Sequence, residues 1–135
     1  MQNKHIVMLS GGKDSTAMLL MMIERGMQID RIICVDTTKE FPEMYKHLKK
    51  LAAYIKPYKI ETYSFDFDYY FSEHKIKNHA NRHGYGWMGT GRRWCTAYKT
   101  QTAQKAISGI KHFEYHGIAA DEFKRINRDR PDNIK

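Results

Sequence analysis

The sequence predicts an α/β fold with a mainly parallel sheet flanked by helices. Short apolar runs of strand-forming residues alternate with longer helix-like segments along the 135-residue chain. The turn Ser10-Gly11-Gly12 ends the first apolar run and precedes the first helix-like segment, as at the ligand-binding edge of such sheets. This alternation favours a parallel sheet with right-handed crossovers. The length suits one domain spanning residues 1–135.

The first strand and the first helix lie on either side of this glycine turn. Residues 5–9, HIVML, form a short apolar run that predicts a strand. Residues 15–25 are apolar at most positions, which predicts a helix buried on several sides, and Gly26 is a plausible end for it. Strand, turn and helix therefore follow one another in the order of a β-α unit.

A second β-α unit follows directly. Residues 31–35, RIICV, are a continuous apolar run, as expected for a strand covered on both faces. Pro42 suits the first turn of a helix. The stripe that makes this helix amphipathic consists of Met44, Leu48, Leu51 and Ile55.

The remaining elements continue the alternation. Residues 60–65 predict a third strand, and residues 66–83 are predicted to be partly helical. Four glycines within residues 84–91 indicate a tightly turning loop. A helix is then expected from Thr96, as its N-cap, to Ile107, and a fourth strand over residues 113–118. The predicted sheet thus has four strands.

The charge of the chain is unevenly distributed. The net charge is +8, from 23 Lys and Arg residues against 15 Asp and Glu residues. Residues 1–73 hold 10 basic and 10 acidic side chains, whereas residues 74–135 hold 13 and 5. The second part is therefore expected to meet an anionic partner, or to be only a solvated basic surface. Charge alone does not choose between a nucleotide and a nucleic acid.

The apolar and cysteine content bears on the location of the protein. No apolar stretch approaches the roughly 20 residues of a membrane span, and the N-terminal apolar run is too short for a signal peptide. The two cysteines, Cys34 and Cys95, are far apart in sequence and form no CxxC pair. We therefore expect a cytoplasmic protein with reduced thiols and no membrane partner.

The segment Leu9 to Thr16, LSGGKDST, has the composition of a phosphate-binding loop. Glycines allow a close backbone approach, and a helix start offers unpaired N–H groups to an anion. Hydroxyl donors and a mobile cation are available from Ser10, Ser15, Thr16 and Lys13. The spacing does not match GxxxxGK[ST] or GxGxxG. Asp14 is expected either to cap the helix or to hold Mg²⁺.

Four motifs carry a resemblance to a known family. SGGKDS resembles the PP-loop of the ATP pyrophosphatases, which binds the pyrophosphate part of ATP. CVDTTKEFPEM is similar to the next motif in ATP sulfurylase small subunits and in relatives of phosphoadenosine phosphosulfate (PAPS) reductase. GRRWCTAYKT and GIAADEFKR are similar, more weakly, to later blocks of that family. The resemblance spans roughly residues 5–125.

This resemblance implies a Rossmann-like nucleotide alpha hydrolase (HUP-type) fold with an adenine nucleotide across the strand ends. It implies ATP and Mg²⁺ as the bound cofactors, with Asp14 as the metal ligand. The residues implied to hold the phosphates are Ser10, Gly11, Gly12, Lys13, Asp14 and Ser15. The residues implied to line the adenosine side are Asp36 and Thr37, and those implied at the sulfate, phosphate or acceptor end are Arg92, Arg93, Lys99 and Arg125.

The function implied is cleavage of ATP between its α and β phosphates, which adenylates an unknown acceptor and releases pyrophosphate. Lys13 and Asp14 would act with Arg92 and Arg93 in this step. The alternatives are a domain that binds PAPS or adenosine phosphosulfate without reductase chemistry, and a nucleic-acid-binding module that uses the basic second part. The protein partner is expected to be either a second copy of the chain, in a homo-oligomer, or a larger partner subunit, and the sequence does not choose between them.

Two departures from the family pattern bear on this function. No redox-active cysteine follows Cys95, so reductase chemistry is not expected. Relatives usually continue past the fourth strand with a further strand, so this chain is expected to be a minimal or truncated domain.

Three further features have two interpretations each. Cys95 beside Arg92 and Arg93 is either a thiolate of lowered pKa or a cysteine that packs at a helix start. The histidines at positions 74, 79 and 83, the last two expected on one helix face, are either metal ligands or solvated side chains. The aromatic cluster of residues 63–71 either packs in the core or stacks on a base.

Overall fold

A four-stranded parallel sheet forms the centre of the molecule and confirms the predicted α/β class. The computed structural model describes residues 2–79 and 81–135; Met1 lies outside these ranges, as does Ala80 in the segment predicted to be partly helical. The strands are Lys4–Met8 (β1), Arg31–Asp36 (β2), Ile60–Ser64 (β3) and His112–His116 (β4). Their order across the sheet is β3-β2-β1-β4, and every neighbouring pair is parallel.

Three helices follow the strands as predicted, two of them with displaced starts, and a short fourth helix was not predicted. They are Lys13–Glu24 (α1), Pro42–Tyr54 (α2), Trp94–Ile107 (α3) and Phe123–Ile126 (α4). α1 begins two residues before the predicted start because the Thr16 N–H already donates to the Gly12 carbonyl at 3.1 Å. The prediction of Thr96 as the N-cap of α3 is wrong, since the Ala97 N–H bonds to the carbonyl of Arg93, which occupies the cap position.

The two faces of the sheet are covered by different helices. α1 and α2 pack on one face against a core that includes Val7, Leu19, Met22, Ile32, Leu51 and Ile55. α3 packs on the other face, where Ile107 contacts Ile6 and Ile33. The neighbours Ile6 and Val7 belong to opposite cores because successive strand residues point to opposite faces. β1 and β2 are thus buried from both sides.

The segment between β3 and α3 is only partly helical, as predicted. Tyr69–Glu73 forms a π-helical turn, but the chain then runs back on itself through a bridge between Lys75 and His83. The expectation that His79 and His83 share a helix face is therefore wrong.

Aromatic packing holds this segment against α3. Phe67 is buried with its ring centroid 5.0 Å from that of Trp94, and the Tyr70 ring stacks on Tyr98 at 3.8 Å. These contacts confirm the interpretation of the cluster as packing residues.

The outer side of β4 is paired with residues 133–135. The Glu114 N–H donates to the Asn133 carbonyl, and the Lys135 N–H donates to the Glu114 carbonyl, each at 2.6 Å. The pairing is parallel, so these residues extend the sheet by one short segment. In the described ranges, no helix has both the length and the apolar character to cross a membrane.

Candidate functional site

The topology creates a crevice at the carboxyl end of β1. From β1 the chain passes through α1 to β2 on one side, while β4 reaches the other side of β1 by way of α3 on the opposite face. Ligands in open parallel sheets bind where the strand order reverses in this way. The loop of residues 9–12 lies at this point, between β1 and α1.

Gly11 lets this loop turn directly under α2. Its φ is +82°, a value that side chains other than glycine rarely adopt. A Cβ at this position would lie 2.5 Å from the sulfur of Met44 in α2. The turn therefore requires glycine here, and a side chain would also displace the end of Met44.

The loop hydroxyls bind the loop itself. The hydroxyls of Ser10 and Ser15 lie 2.9 Å apart, and the Gly12 N–H donates to the Ser10 oxygen at 3.3 Å. Ser15 is buried and donates its hydroxyl to the Gly12 carbonyl at 3.2 Å. The Thr16 hydroxyl lies 3.0 Å from Nε2 of His47 in α2. These bonds fix the loop conformation without any ligand.

The start of α1 is open to an anion. Gly12 occupies the N-cap position, and no side chain of the described residues caps the helix. The prediction that Asp14 caps α1 is therefore wrong; its carboxylate lies in the first turn instead. Lys13 is exposed in the same turn. The site combines free helix N–H groups at the positive end of the dipole with a mobile ammonium group.

Gly117, at the end of β4, packs its backbone directly on this turn. A Cβ at this position would lie 2.6 Å from the carbonyl oxygen of Asp14 and 2.6 Å from Cα of Ser15. Sequence reasoning missed this residue, although it opens the quoted motif GIAADEFKR. The contact fixes the end of β4 against the start of α1.

The residues predicted on the adenosine side bind their own loop after β2. The Asp36 carboxylate accepts the Thr38 N–H at 2.7 Å and the Tyr45 hydroxyl at 2.8 Å. Thr37 is buried and donates to the carboxylate of Glu40 at 3.0 Å. Asp36 and Thr37 therefore shape the loop that borders the crevice.

An ion pair joins this loop to α3. Nζ of Lys99 lies 2.9 Å from the same Glu40 oxygen that accepts the Thr37 hydroxyl. Glu40 was not predicted as a site residue, although it lies in the quoted motif CVDTTKEFPEM. The ion pair brings the predicted residues Thr37 and Lys99 together through one carboxylate.

A first cavity of about 230 Å³ opens beside the loop on the α3 face. Its apolar lining comes from Met8, Leu9, Ile33, Val35 and Ala103. Its polar lining comes from Ser10, Lys99, Thr100, Gln104, Glu114 and His116. A concave site that combines apolar lining with convergent polar groups is typical of small-molecule binding. Of the predicted site residues, Ser10 and Lys99 meet here.

A buried carboxylate with three donors borders this cavity. Glu114 is 3% exposed and accepts from Nε2 of His112 at 3.0 Å, Nε2 of His116 at 3.1 Å and Nε2 of Gln104 at 3.2 Å. The sequence signal was available in the HxExH pattern, since alternate strand residues share a face.

The hydrogen-bond donors around Glu114 determine which of the titratable groups in this cluster are charged. Burial by itself raises the pKa of Glu114, but the hydrogen bonds from the two histidines and Gln104 outweigh it, and the net pKa is lowered. Burial likewise disfavours the charged form of His112, yet its bond to Glu114 leaves the pKa of His112 raised. The cluster therefore favours an ionised carboxylate beside a protonated imidazole.

A second cavity, of about 560 Å³, lies between the loop after β2 and the segment before α3. Lys99 lines both cavities, and the second cavity also contacts Glu40, Phe71, Trp87 and Cys95.

Neither cysteine has a lowered pKa. Burial raises the pKa of the Cys95 thiol more than nearby Lys99 lowers it, which argues against the thiolate interpretation. Cys95 is half-buried and lines the second cavity. Burial raises the pKa of Cys34 to about 11. Both cysteines are free thiols.

Three predicted arginines lie on the surface. Arg92 closes a tight turn with Gly89, Arg93 is the N-cap of α3, and Arg125 in α4 is paired with Glu122. All three are exposed. Within the described ranges they line neither of the two cavities.

The described side chains could hold a divalent metal ion only together with the phosphate groups of a bound nucleotide. The described residues contain no cluster of three or more His, Cys, Asp or Glu side chains able to hold a metal ion. Asp14 supplies one carboxylate in the first turn of α1. A single carboxylate beside a phosphate-binding turn fits Mg²⁺, which is commonly held by one or two carboxylates together with substrate phosphates.

Comparison with known families gives one match. A family model described as the phosphoadenosine phosphosulfate reductase domain matches residues 4–129, nearly the whole chain. A search of curated proteins found no match. The match includes the glycine loop, both cavities and all the arginines discussed above.

Proposed function

The chain belongs to the phosphoadenosine phosphosulfate reductase domain family, and from this premise we propose that it binds ATP on the loop before α1. The proposed reaction cleaves ATP between the α and β phosphates, transfers the adenylyl group to an acceptor and releases pyrophosphate. The observation that carries the proposal is the uncapped start of α1 at the reversal of strand order. Such a helix start offers N–H donors and a positive dipole end to phosphates.

Lys13 is the residue that would stabilise the leaving pyrophosphate. It is exposed beside the helix start, and no carboxylate of the described residues lies in an ion pair with it. An ammonium group held near the leaving pyrophosphate would stabilise the negative charge that develops there. Because the group would already be in place, it would lower the activation free energy without rearrangement of the protein.

Asp14 is the residue that would hold Mg²⁺. Bound Mg²⁺ neutralises phosphate charge and favours departure of pyrophosphate. The Gly117 contact keeps the backbone of Asp14 in place, so the carboxylate would approach the phosphates from the first turn of α1.

The first cavity is the proposed site for the adenosine portion, because it adjoins Ser10 and has an apolar lining. Arg92 and Arg93 are proposed to orient the acceptor, since their exposed guanidinium groups are available to an anion. Arg125 would assist from α4. The reaction is proposed to take place in the cytoplasm.

The family match favours a second candidate, the binding of PAPS or adenosine phosphosulfate. The same loop and cavity would accept these ligands, since they share the adenosine and phosphate groups. This candidate is nucleotide binding without thiol-based reduction. Burial raises the pKa of both cysteines, which disfavours the reactive thiolate form.

Calorimetric titration with Mg-ATP, adenosine phosphosulfate and PAPS tests both candidates. The variant Lys13→Ala should weaken nucleotide binding at least about tenfold, because a charge-assisted hydrogen bond is lost. Lys49→Ala, an exposed lysine of α2, is the matched control and should bind normally. Pyrophosphate should appear in the ATP samples of the wild type.

Three outcomes separate the candidates. Lys13-dependent ATP binding with pyrophosphate release supports adenylyl transfer. Preference for PAPS without release of pyrophosphate overturns it in favour of the second candidate. Nucleotide binding that is unchanged in Lys13→Ala contradicts the assignment of the loop in both.

A further inference from the structure

We propose that the segment before α3 is a binding surface for single-stranded nucleic acid. The surface consists of residues 75–79 and 81–93, which we call the basic loop. The proposal rests on the charge, the exposed aromatic side chain and the anchoring of this loop. It shares Arg92 and Arg93 with the acceptor side of the proposed function but does not use the loop before α1.

The basic loop carries positive charge without compensation. Residues 75–93 contain no Asp or Glu, and their five basic side chains are Lys75, Lys77, Arg82, Arg92 and Arg93. All five are exposed. None of the five forms an ion pair with a described carboxylate. Unpaired, exposed charges of one sign are suited to a phosphate backbone.

Trp87 presents an aromatic face within this charged surface. Its side chain is among the most exposed large apolar groups, at 79%, and Met88 beside it is also exposed. One edge of the indole is supported by Phe71, with ring centroids 5.1 Å apart. An exposed ring among basic side chains is the arrangement on which unpaired bases stack.

Hydrogen bonds to the preceding π-helical segment and to α3 hold the basic loop in place. The N–H groups of Gly84, Tyr85 and Gly86 donate to the carbonyls of His74, Tyr70 and Phe71 at 2.8, 2.9 and 3.0 Å. The buried Trp94 ring donates to the Gly86 carbonyl at 3.0 Å. Gly84 has no space for a side chain, since its Cβ would lie 2.2 Å from the Phe71 oxygen. An anchored loop loses little conformational entropy on binding.

The shape of the loop favours a single strand over the other anionic surfaces. The described residues of the basic loop contain no helix that would enter a major groove or lie in a membrane interface. Trp87 has an exposed ring on which an unpaired base can stack, whereas the bases of a duplex are already stacked on one another. Single-stranded DNA or RNA therefore fits both the charge and the aromatic group.

Fluorescence anisotropy with a labelled single-stranded oligonucleotide of mixed sequence is the direct test, run in parallel with a duplex and with anionic vesicles. The wild type should bind the single strand at low salt and lose affinity steeply as salt is added. Trp87→Ala should weaken binding about tenfold, which corresponds to about 1.4 kcal/mol. Arg92→Ala with Arg93→Ala should reduce the salt slope by about 1.4, since each phosphate contact contributes about 0.7.

Two controls separate this inference from the proposed function. Tyr54→Ala removes another aromatic side chain of 79% exposure at the end of α2 and should leave oligonucleotide affinity unchanged. Lys13→Ala should lose nucleotide binding but retain oligonucleotide binding. Absence of binding at low salt, equal affinity of Trp87→Ala and wild type, or preferential binding to duplex or vesicles would each overturn the proposal.

Discussion

The two faces of the sheet differ in what they bury. The face under α1 and α2 is closed by aliphatic side chains such as Leu19 and Leu51. The face under α3 has a smaller apolar core and also carries two ionic clusters, the pair of Arg31 with Glu61 and the histidine cluster of Glu114. The first cavity opens on this second face.

This difference suggests that one face of the sheet contributes most of the stability and the other face provides the binding surface. Close-packed aliphatic contacts stabilise the fold but leave no room for a ligand. Burying polar groups costs desolvation free energy even when they are hydrogen-bonded. Such groups are nevertheless common in ligand sites, where they provide specificity. We therefore expect changes on the α1 and α2 face to reduce stability most, and changes on the α3 face to reduce it less while affecting binding.

The largest effect is expected from Leu19→Ala on the aliphatic face. Leu19 has 0% exposure, and the truncated side chain leaves a cavity that costs about 3 kcal/mol. Urea denaturation measures the change. Met21→Ala on the exposed side of the same helix is the control and should cost less than about 1 kcal/mol. A loss for Leu19→Ala no larger than for Met21→Ala would contradict the closed packing of this face.

A smaller loss is expected from Glu114→Gln on the α3 face. The substitution removes the charge that accepts from His112 and His116, so we expect a loss of about 1–3 kcal/mol in urea denaturation. Glu73→Gln, an exposed carboxylate outside the sheet, is the control. If both variants unfold at the same urea concentration as the wild type, the cluster does not stabilise the fold.

The pH dependence of stability sharpens the comparison further. The lowered pKa of Glu114 means that its contribution is present above the unfolded value of about 4.5 and is lost as pH falls through the lower folded value. The raised pKa of His112 means that its contribution is complete below about 6.5 and is lost as pH rises through the folded value.

The stability difference between the wild type and Glu114→Gln should therefore be greatest between about pH 4.5 and 6.5 and narrow on either side. Thermal unfolding across this range provides the measurement. A difference that is constant with pH would show that the cluster does not titrate as its hydrogen bonds require.

The smallest effect on stability is expected from Glu40→Gln. Its ion pair with Lys99 is partly exposed, so the loss should be below about 1 kcal/mol in thermal unfolding. Asp68→Asn, which breaks the exposed pair with Lys39, is the matched control. A loss for Glu40→Gln as large as that for Leu19→Ala would place a main source of stability on the polar face.

The sequence predicted the elements well where periodicity and glycine turns coincide. The four strands and α1, α2 and α3 lie within a few residues of their predicted positions. For β1 and β2 the reason is that continuous apolar runs require burial on both faces. The start of α3 was missed because Thr96 was expected to cap the helix with its side chain, whereas the helix begins with a backbone bond from Ala97 to the carbonyl of Arg93.

The candidate site was only partly predictable. The motif identified the loop of residues 10–16, but not that Ser15 would use its hydroxyl to close the loop. The Glu40 contact with Lys99 joins residues 59 positions apart, which no local pattern specifies. The contacts of Glu114 with His112 and His116 did have a local signal, the HxExH alternation along β4. Gly117 contacts α1 across about a hundred residues of sequence, so only the folded chain reveals it.

The absence of a side chain at Gly117 has a dynamic consequence. At Gly117 the backbone of β4 packs directly on the backbone of α1, with no side chain between them that could change rotamer. A displacement of the first turn of α1 is therefore expected to be coupled to a displacement of the end of β4. Local opening in proteins occurs in such cooperative units. The hydrogen-bonded amides of Thr16 in α1 and His116 in β4 should therefore exchange their hydrogens with one common rate of opening, although the sequence places them far apart.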